Sequence, residues 1–270
     1  MSSLVKRWIT GLVLVPILLM VIVFGSEALF AAVVTLFALG GVWEYNHIVF
    51  NQQFKMEKTE GLISAVAICF FAFWGDQWMM TGWLAFAVMM AFILFIWRAK
   101  DTSSFDLSVV TKVIFGMMYL PFLMAHFIYL RKTPNGILWI LFVLVLAFAG
   151  DIAALYVGKY FGRRKLIPSI SPGKTVEGMM GLIAGSVLAS FIFARFFLPD
   201  VAPLHVALMA FIGCIIGQLG DICESAIKRF YGLKDSSALL PGHGGLLDRL
   251  DCLLFIAPFV YYYRFLIIES

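Results

Sequence analysis

ILWILFVLVLAFAGDIAALYVGKY, residues 137–160, is the run that decides the fold. A helix needs about 20 predominantly apolar residues to cross the hydrocarbon core of a bilayer. This run supplies them, with a single carboxylate, Asp151, near its middle. A carboxylate at that depth is energetically expensive and faces a bundle interior or a water-filled cavity. Asp151 therefore reads as the wall of a polar cavity or a substrate contact. The alternative is a satisfied hydrogen-bond partner inside the bundle.

Working outward, the same kind of run recurs at 8–25, 28–50, 61–75, 78–97, 109–130, 177–198, 203–220 and 250–268, which makes nine candidate spans. The third is short, and Gly75-Asp76-Gln77 forms a minimal turn between it and the fourth. The composition agrees. The chain is 62% hydrophobic and 13% charged, with a mean hydropathy of +0.97, where soluble domains carry ~25% charged residues. The predicted fold class is an all-α polytopic transmembrane helical bundle. The run after Lys6-Arg7 superficially resembles a signal peptide but lacks a small-x-small cleavage site, so it reads as a retained helix. Cys69, Cys214, Cys223 and Cys252 have no metal or disulfide spacing, and Cys69 and Cys214 read as small buried hydrophobes.

Orientation follows from the basic residues. With the N-terminus inside, all of the 20 Lys and Arg fall on the inner side except Arg131, Lys132, Arg195 and Arg264. That bias supports nine spans with the N-terminus in the cytosol. Two polar blocks then share the cytosolic side. The first, GKYFGRRKLIPSISPGKTVE, links the sixth and seventh runs. Pro172 suits the first turn of a following helix, and Lys174 and Thr175 would lie near its N-terminus, where the dipole favours anions. Ser171 adds a hydroxyl. Arg163, Arg164 and Lys165 read as topology signals and contacts to anionic membrane lipids.

The second block starts at Asp221. Asp221, Glu224, Ser225 and Lys228 recur at i, i+3, i+4 and i+7, one polar stripe on a helix that prolongs the eighth run. It continues as SAIKRFYGLKDSSALLPGHGGLLDRLD, residues 225–251. Asp248 and Asp251 are three apart and share a helical face. Paired hard carboxylates suit Mg²⁺, which leaves room for substrate phosphates; a second cation is left open. Asp221 and Asp248 are the expected primary ligands, with Asp251 and Glu224 behind them. Lys228, Arg229, Lys234 and Arg249 can offset phosphate charge. Gly242, Gly244 and Gly245 would let backbone N–H groups approach a phosphate, and His243 between them is placed to contact it. Glu44, beside Tyr45-Asn46-His47, reads as an interfacial polar cluster. His126 and His205 read as structural.

These residues carry a resemblance. Ser225-x-x-Lys228-Arg229, Lys234-Asp235-x-Ser237, Leu240-Pro241-x-His243-Gly244-Gly245 and Asp248-Arg249-x-Asp251 together resemble the signature of the phosphatidate cytidylyltransferase family. The match runs through all 27 residues of the stretch. Ile170-Ser171-Pro172-x-Lys174-Thr175-x-Glu177-Gly178 is similar to a second recurring stretch of that family. The resemblance implies a membrane enzyme joining CTP to phosphatidic acid, with a divalent metal, releasing pyrophosphate. It also implies Lys228, Arg229, Lys234, Asp248 and Arg249 in catalysis, and Asp151, Ser171, Lys174, Ser225, Asp235, His243, Gly244 and Gly245 against substrate. The expected organisation is N-terminal transmembrane helices over 1–136 and a catalytic region over 137–270, with cytosolic loops 158–177 and 221–251. The expected location is a bacterial inner membrane.

Two other classes fit parts of the chain. A CTP-dependent lipid kinase would release CDP, and an organic-anion transporter would line a mid-membrane path with ionisable groups. Only Asp151 lies at that depth. Gly181-x-x-x-Gly185 and Gly213-x-x-x-Gly217 allow close helix packing, within the chain or in a homodimer. No nucleic-acid partner is expected.

Overall fold

The computed structural model describes residues 3–50, 54–98, 106–237, 239 and 244–269. Among these, nine helices follow in order: α1 (Ser3–Phe24), α2 (Glu27–Val49), α3 (Lys55–Trp74), α4 (Gln77–Arg98), α5 (Ser108–Lys132), α6 (Gly136–Phe161), α7 (Val176–Phe197), α8 (Pro203–Phe230) and α9 (Leu247–Ile268). Seven of them, α2 and α4 to α9, are long and apolar enough to cross a membrane. The architecture is the expected all-α membrane bundle. In α1 the described apolar run is the shorter Gly11–Phe24. Helix α3 begins six residues before the expected 61 and takes Lys55, Glu57, Lys58 and Glu60 into its first turns. Those charges dilute its apolar character.

Helix boundaries follow local chemistry. The Ser26 hydroxyl accepts the Leu29 amide at 3.2 Å, and Asp76 Oδ1 accepts the Met79 amide at 2.8 Å. Each satisfies a donor that the first turn leaves open. Midway along α5 the backbone widens into a π-turn at Met118–Phe122, around Pro121. Proline cannot donate to the ordinary helical ladder, and a wider turn accommodates it.

The chain divides into two compact units. The first is Met1–Tyr129 with Asp235–Leu247; the second is Leu130–Lys234 with Asp248–Ser270. In the first, α3 packs on α2, α4 and α5. Tyr45 donates from its hydroxyl to the Lys112 carbonyl at 2.9 Å. In the second, α6 runs against α7 along its length. A Cβ at Gly181 would come within 2.7 Å of Val157, and one at Gly185 within 2.4 Å of Ala153. The first small-residue pair therefore packs inside the chain. So does the second: Gly217 faces Ile256 of α9.

One feature, the hairpin, was not legible in the polar blocks. The first block folds as a hairpin, β1 (Lys165–Ile167) antiparallel to β2 (Ser171–Thr175), with Lys165 opposite Thr175 and Ile167 opposite Ser171. The second block is helical at both ends, since α8 runs through Phe230 and α9 starts at Leu247.

Candidate active site

In the second unit the hairpin and the ends of α8 and α9 carry the charge. Pro172 was expected in a helical first turn; it lies in β2 instead, and α7 starts only at Val176. A two-stranded sheet consists of edges alone, where the missing proline N–H is tolerated. Thr175 caps α7, its Oγ1 accepting the Gly178 amide at 3.0 Å. Glu177 turns back to accept the amides of Arg163 and Arg164 at 3.0 and 3.1 Å. That bond closes the entry to the hairpin and gives Glu177 a structural task.

The residue before the cap, Lys174, reaches α8. Its Nζ donates to Asp221 Oδ2 at 2.5 Å, and Ser225 Oγ stands 3.4 Å from the other oxygen of Asp221. A glycine sets what Asp221 meets next. A Cβ at Gly220 would fall 2.5 Å from the Asp251 carbonyl oxygen, so α8 and α9 lie in backbone contact here only because position 220 has no side chain. The start of α9 at Asp251 therefore lies against the residue that precedes Asp221 in α8. Asp151 on α6 is exposed rather than sealed in the core.

One helical turn further along α8 is a second set. Lys228 Nζ donates to Asp248 Oδ1 at 2.5 Å and pairs with Glu224, one turn back on its own helix. Lys228 and Glu224 are both buried, at 9% and 3% exposed. A buried ammonium and carboxylate are tolerable only when paired, so this triad is held firmly. Arg229 donates to the carbonyls of Ile170 and Leu233 at 3.3 and 3.0 Å. It thereby ties the hairpin to the turn after α8. Lys234 and Arg249 are exposed.

The expected four-acid set therefore stands as two groups, Asp221 with Asp251, and Asp248 with Glu224 across Lys228. Asp248 and Asp251 lie one turn apart on α9. No three His, Cys, Asp or Glu side chains close into a ready-made metal cage among the described residues. The donor chemistry nevertheless fits Mg²⁺, which is commonly held by one or two carboxylates plus substrate phosphates. Asp221 and Asp251 are hard oxygen donors on helices that meet at Gly220, with Lys174 on Asp221.

The first unit holds the middle of the signature. Here Glu44 of α2 is fully buried. Its carboxylate accepts from the Ser236 and Ser237 hydroxyls and from the Leu246 and Leu247 amides, both at 2.8 Å. Glu44 is thus no interfacial cluster; it is the anchor of this segment. Gly245 makes room for it, since a Cβ there would stand 2.8 Å from both Glu44 oxygens. Gly244 has φ +82°, which glycine adopts freely. Both glycines serve the shape of the segment. Asp235 is exposed. Gly242 and His243 lie outside the described residues.

Membrane-crossing helices that carry paired carboxylates and lysines on two helix ends and a hairpin define a class: an integral membrane protein equipped for phosphate chemistry. The chain belongs to the cytidylyltransferase family, which it matches over residues 5–267. It is similar to the phosphatidate cytidylyltransferase of Bacillus subtilis (strain 168), 30% identical over 97% of this chain and 98% of the relative. It is 32% identical to the phosphatidate cytidylyltransferase of Staphylococcus epidermidis, over 93% of this chain and 95% of that protein. It also resembles the uncharacterized protein YnbB of Escherichia coli (strain K12), 42% identical over 60% of this chain and 56% of that one.

Proposed function

We propose that this chain transfers the cytidylyl group of CTP to phosphatidate, giving CDP-diacylglycerol and pyrophosphate. The observation that carries the reading is the Lys174–Asp221 pair beside the close approach of α8 and α9 at Gly220 and Asp251, in a family of cytidylyltransferases. A phosphatidate oxygen attacks the α-phosphorus of CTP, the bond from that phosphorus to the bridging oxygen breaks, and pyrophosphate leaves with the electron pair. No general base is required, because a phosphomonoester is already ionised near neutral pH.

Lys174 and Lys228 are the cations best supported for this work. Lys174 rests on Asp221 and can trade it for a phosphate oxygen as charge develops, while Lys228, held between Glu224 and Asp248, supplies fixed positive charge beside them. Asp221 with Asp251, and Asp248 one turn away, would hold Mg²⁺; bound there, the ion supplies charge for the triphosphate oxygens. Ser225 keeps Asp221 oriented. The site faces the cytosol of a bacterial inner membrane, where CTP arrives from water and phosphatidate from the leaflet.

The test is the purified chain with labelled CTP and phosphatidate, with and without Mg²⁺, assayed for both products. CDP-diacylglycerol and pyrophosphate are expected, and CDP release would favour the lipid-kinase alternative. Asp221→Asn and Asp248→Asn should each lose orders of magnitude in turnover. Their double variant should be little worse than either single, because residues acting as one unit are not additive. Lys174→Ala should lose at least about tenfold, or ~1.4 kcal/mol of transition-state stabilisation, while Lys165→Ala on the opposite strand changes little. Near-normal, Mg²⁺-dependent activity in either aspartate variant removes that residue from the ligand set.

A further inference from the structure

A cavity of about 400 Å³ opens in the first unit, between α3 and α4. Lys55, Glu60 and Ser64 of α3 line it on one side, and Trp83, Ala87 and Met90 of α4 on the other. Both Glu60 oxygens, Ser64 Oγ and Trp83 Nε1 are buried and have no hydrogen-bond partner among the described residues. Ser64 is 1% exposed. Burying even one polar group unpaired is unfavourable, and buried polar groups in native proteins nearly always find partners. Four such atoms around one cavity describe a missing partner. The neighbouring ion pair does not supply it, because Arg98 is engaged by Glu57 at 2.9 Å.

We propose that this cavity is a lipid site selective for a primary-ammonium headgroup, the chemistry of an ethanolamine phospholipid. The donor and acceptor inventory fixes the class. Two carboxylate oxygens and a hydroxyl ask for several donors at one small centre, and a primary ammonium carries three N–H groups. A quaternary ammonium carries none. Trp83 N–H and the Lys55 ammonium ask for acceptors, which the phosphate and ester oxygens of the same molecule provide. A headgroup carboxylate would oppose Glu60, which disfavours a serine phospholipid. Ala87, Met90 and the apolar faces beside them receive the acyl chain. The site uses none of the residues placed in cytidylyl transfer, so its fate is separate from that reading.

The test is native mass spectrometry of the full-length protein in detergent micelles with equimolar dioleoyl phosphatidylethanolamine, phosphatidylcholine and phosphatidylglycerol. The ethanolamine adduct should exceed the choline adduct by about tenfold, the factor one charge-assisted hydrogen bond supplies. Glu60→Gln should bring the two adducts to parity. Should that variant fold poorly, Ala87→Phe, which fills the cavity and removes no polar group, should lower ethanolamine retention with cytidylyl transfer unchanged. Equal retention of the ethanolamine and choline lipids by the unaltered chain overturns the proposal. So does an ethanolamine preference that survives both substitutions.

Discussion

Glu44 is the residue whose importance the sequence concealed most completely. Its partners lie 192 to 203 positions away, and no local pattern announces a pairing of that span. Next to Tyr45, Asn46 and His47 it resembles any polar cluster at a membrane boundary. The signature residues were legible because their types and spacing carry phosphate chemistry on their face; their anchor was not. Glu44 receives two backbone amides and two hydroxyls with no access to water, so replacement leaves donors stranded. Each stranded buried donor costs about 1–3 kcal/mol. Glu44→Ala should therefore lower the thermal unfolding midpoint of the detergent-solubilised protein and its turnover together. Glu44→Gln should be nearly as damaging, since its amide N–H₂ would face donors. Ser236→Ala removes one donor with its need for a partner and should be mild. A Glu44→Gln protein with unaltered midpoint and turnover would show that the segment holds its shape without this anchor.

Among the elements, long apolar helices were easy to read and short polar ones were not. The apolar runs give the α2 and α4–α9 crossings directly, and the i, i+3, i+4, i+7 stripe from Asp221 to Lys228 correctly places these residues on the end of α8. The hairpin escaped because β1 is three residues long, too short to show alternation, and because proline ahead of a helix is equally at home in a first turn or on a strand edge. The start of α3 escaped because its charges mask its period. The small-residue spacings at Gly181/Gly185 and Gly213/Gly217 foresee close helix packing, but they do not reach Gly220, which decides the approach at the site. An added methyl would press on the Asp251 carbonyl at 2.5 Å, and a backbone atom cannot swing away as a side chain can. Gly220→Ala should displace α9 against α8 and lower turnover by about tenfold or more (~1.4 kcal/mol) without removing any charged group. Gly82→Ala is the control, because nothing lies within 4 Å of its added carbon and alanine favours helix. It should leave turnover at the parent value and the thermal midpoint at or slightly above it. Equal behaviour of the two variants would mean that the α8–α9 approach does not govern the site.

On the scale of the whole molecule, one question joins fold to function: which side of the membrane receives CTP. The charge bias predicts that both polar blocks are cytosolic, but some of those bases are also the ones the proposed chemistry needs, so charge bias alone does not separate topology from catalysis. Accessibility does. Ser169 in the hairpin turn and Asp235 after α8 are exposed, whereas Ser236 is 7% exposed and bonded to Glu44, which makes it a poor probe. Of the native cysteines, Cys69, Cys214 and Cys252 are buried and Cys223 is exposed. The background is therefore Cys223→Ser. In intact, right-side-out cells a membrane-impermeant maleimide should not label Ser169→Cys or Asp235→Cys until the membrane is opened. Asn135→Cys, exposed between α5 and α6, should label at once, because an odd number of crossings separates it from a cytosolic N-terminus. Ready labelling at position 169 or 235 from outside would put Lys174 or the signature segment on the wrong face for cytosolic CTP. The transfer reaction proposed for this site would then have no access to its nucleotide.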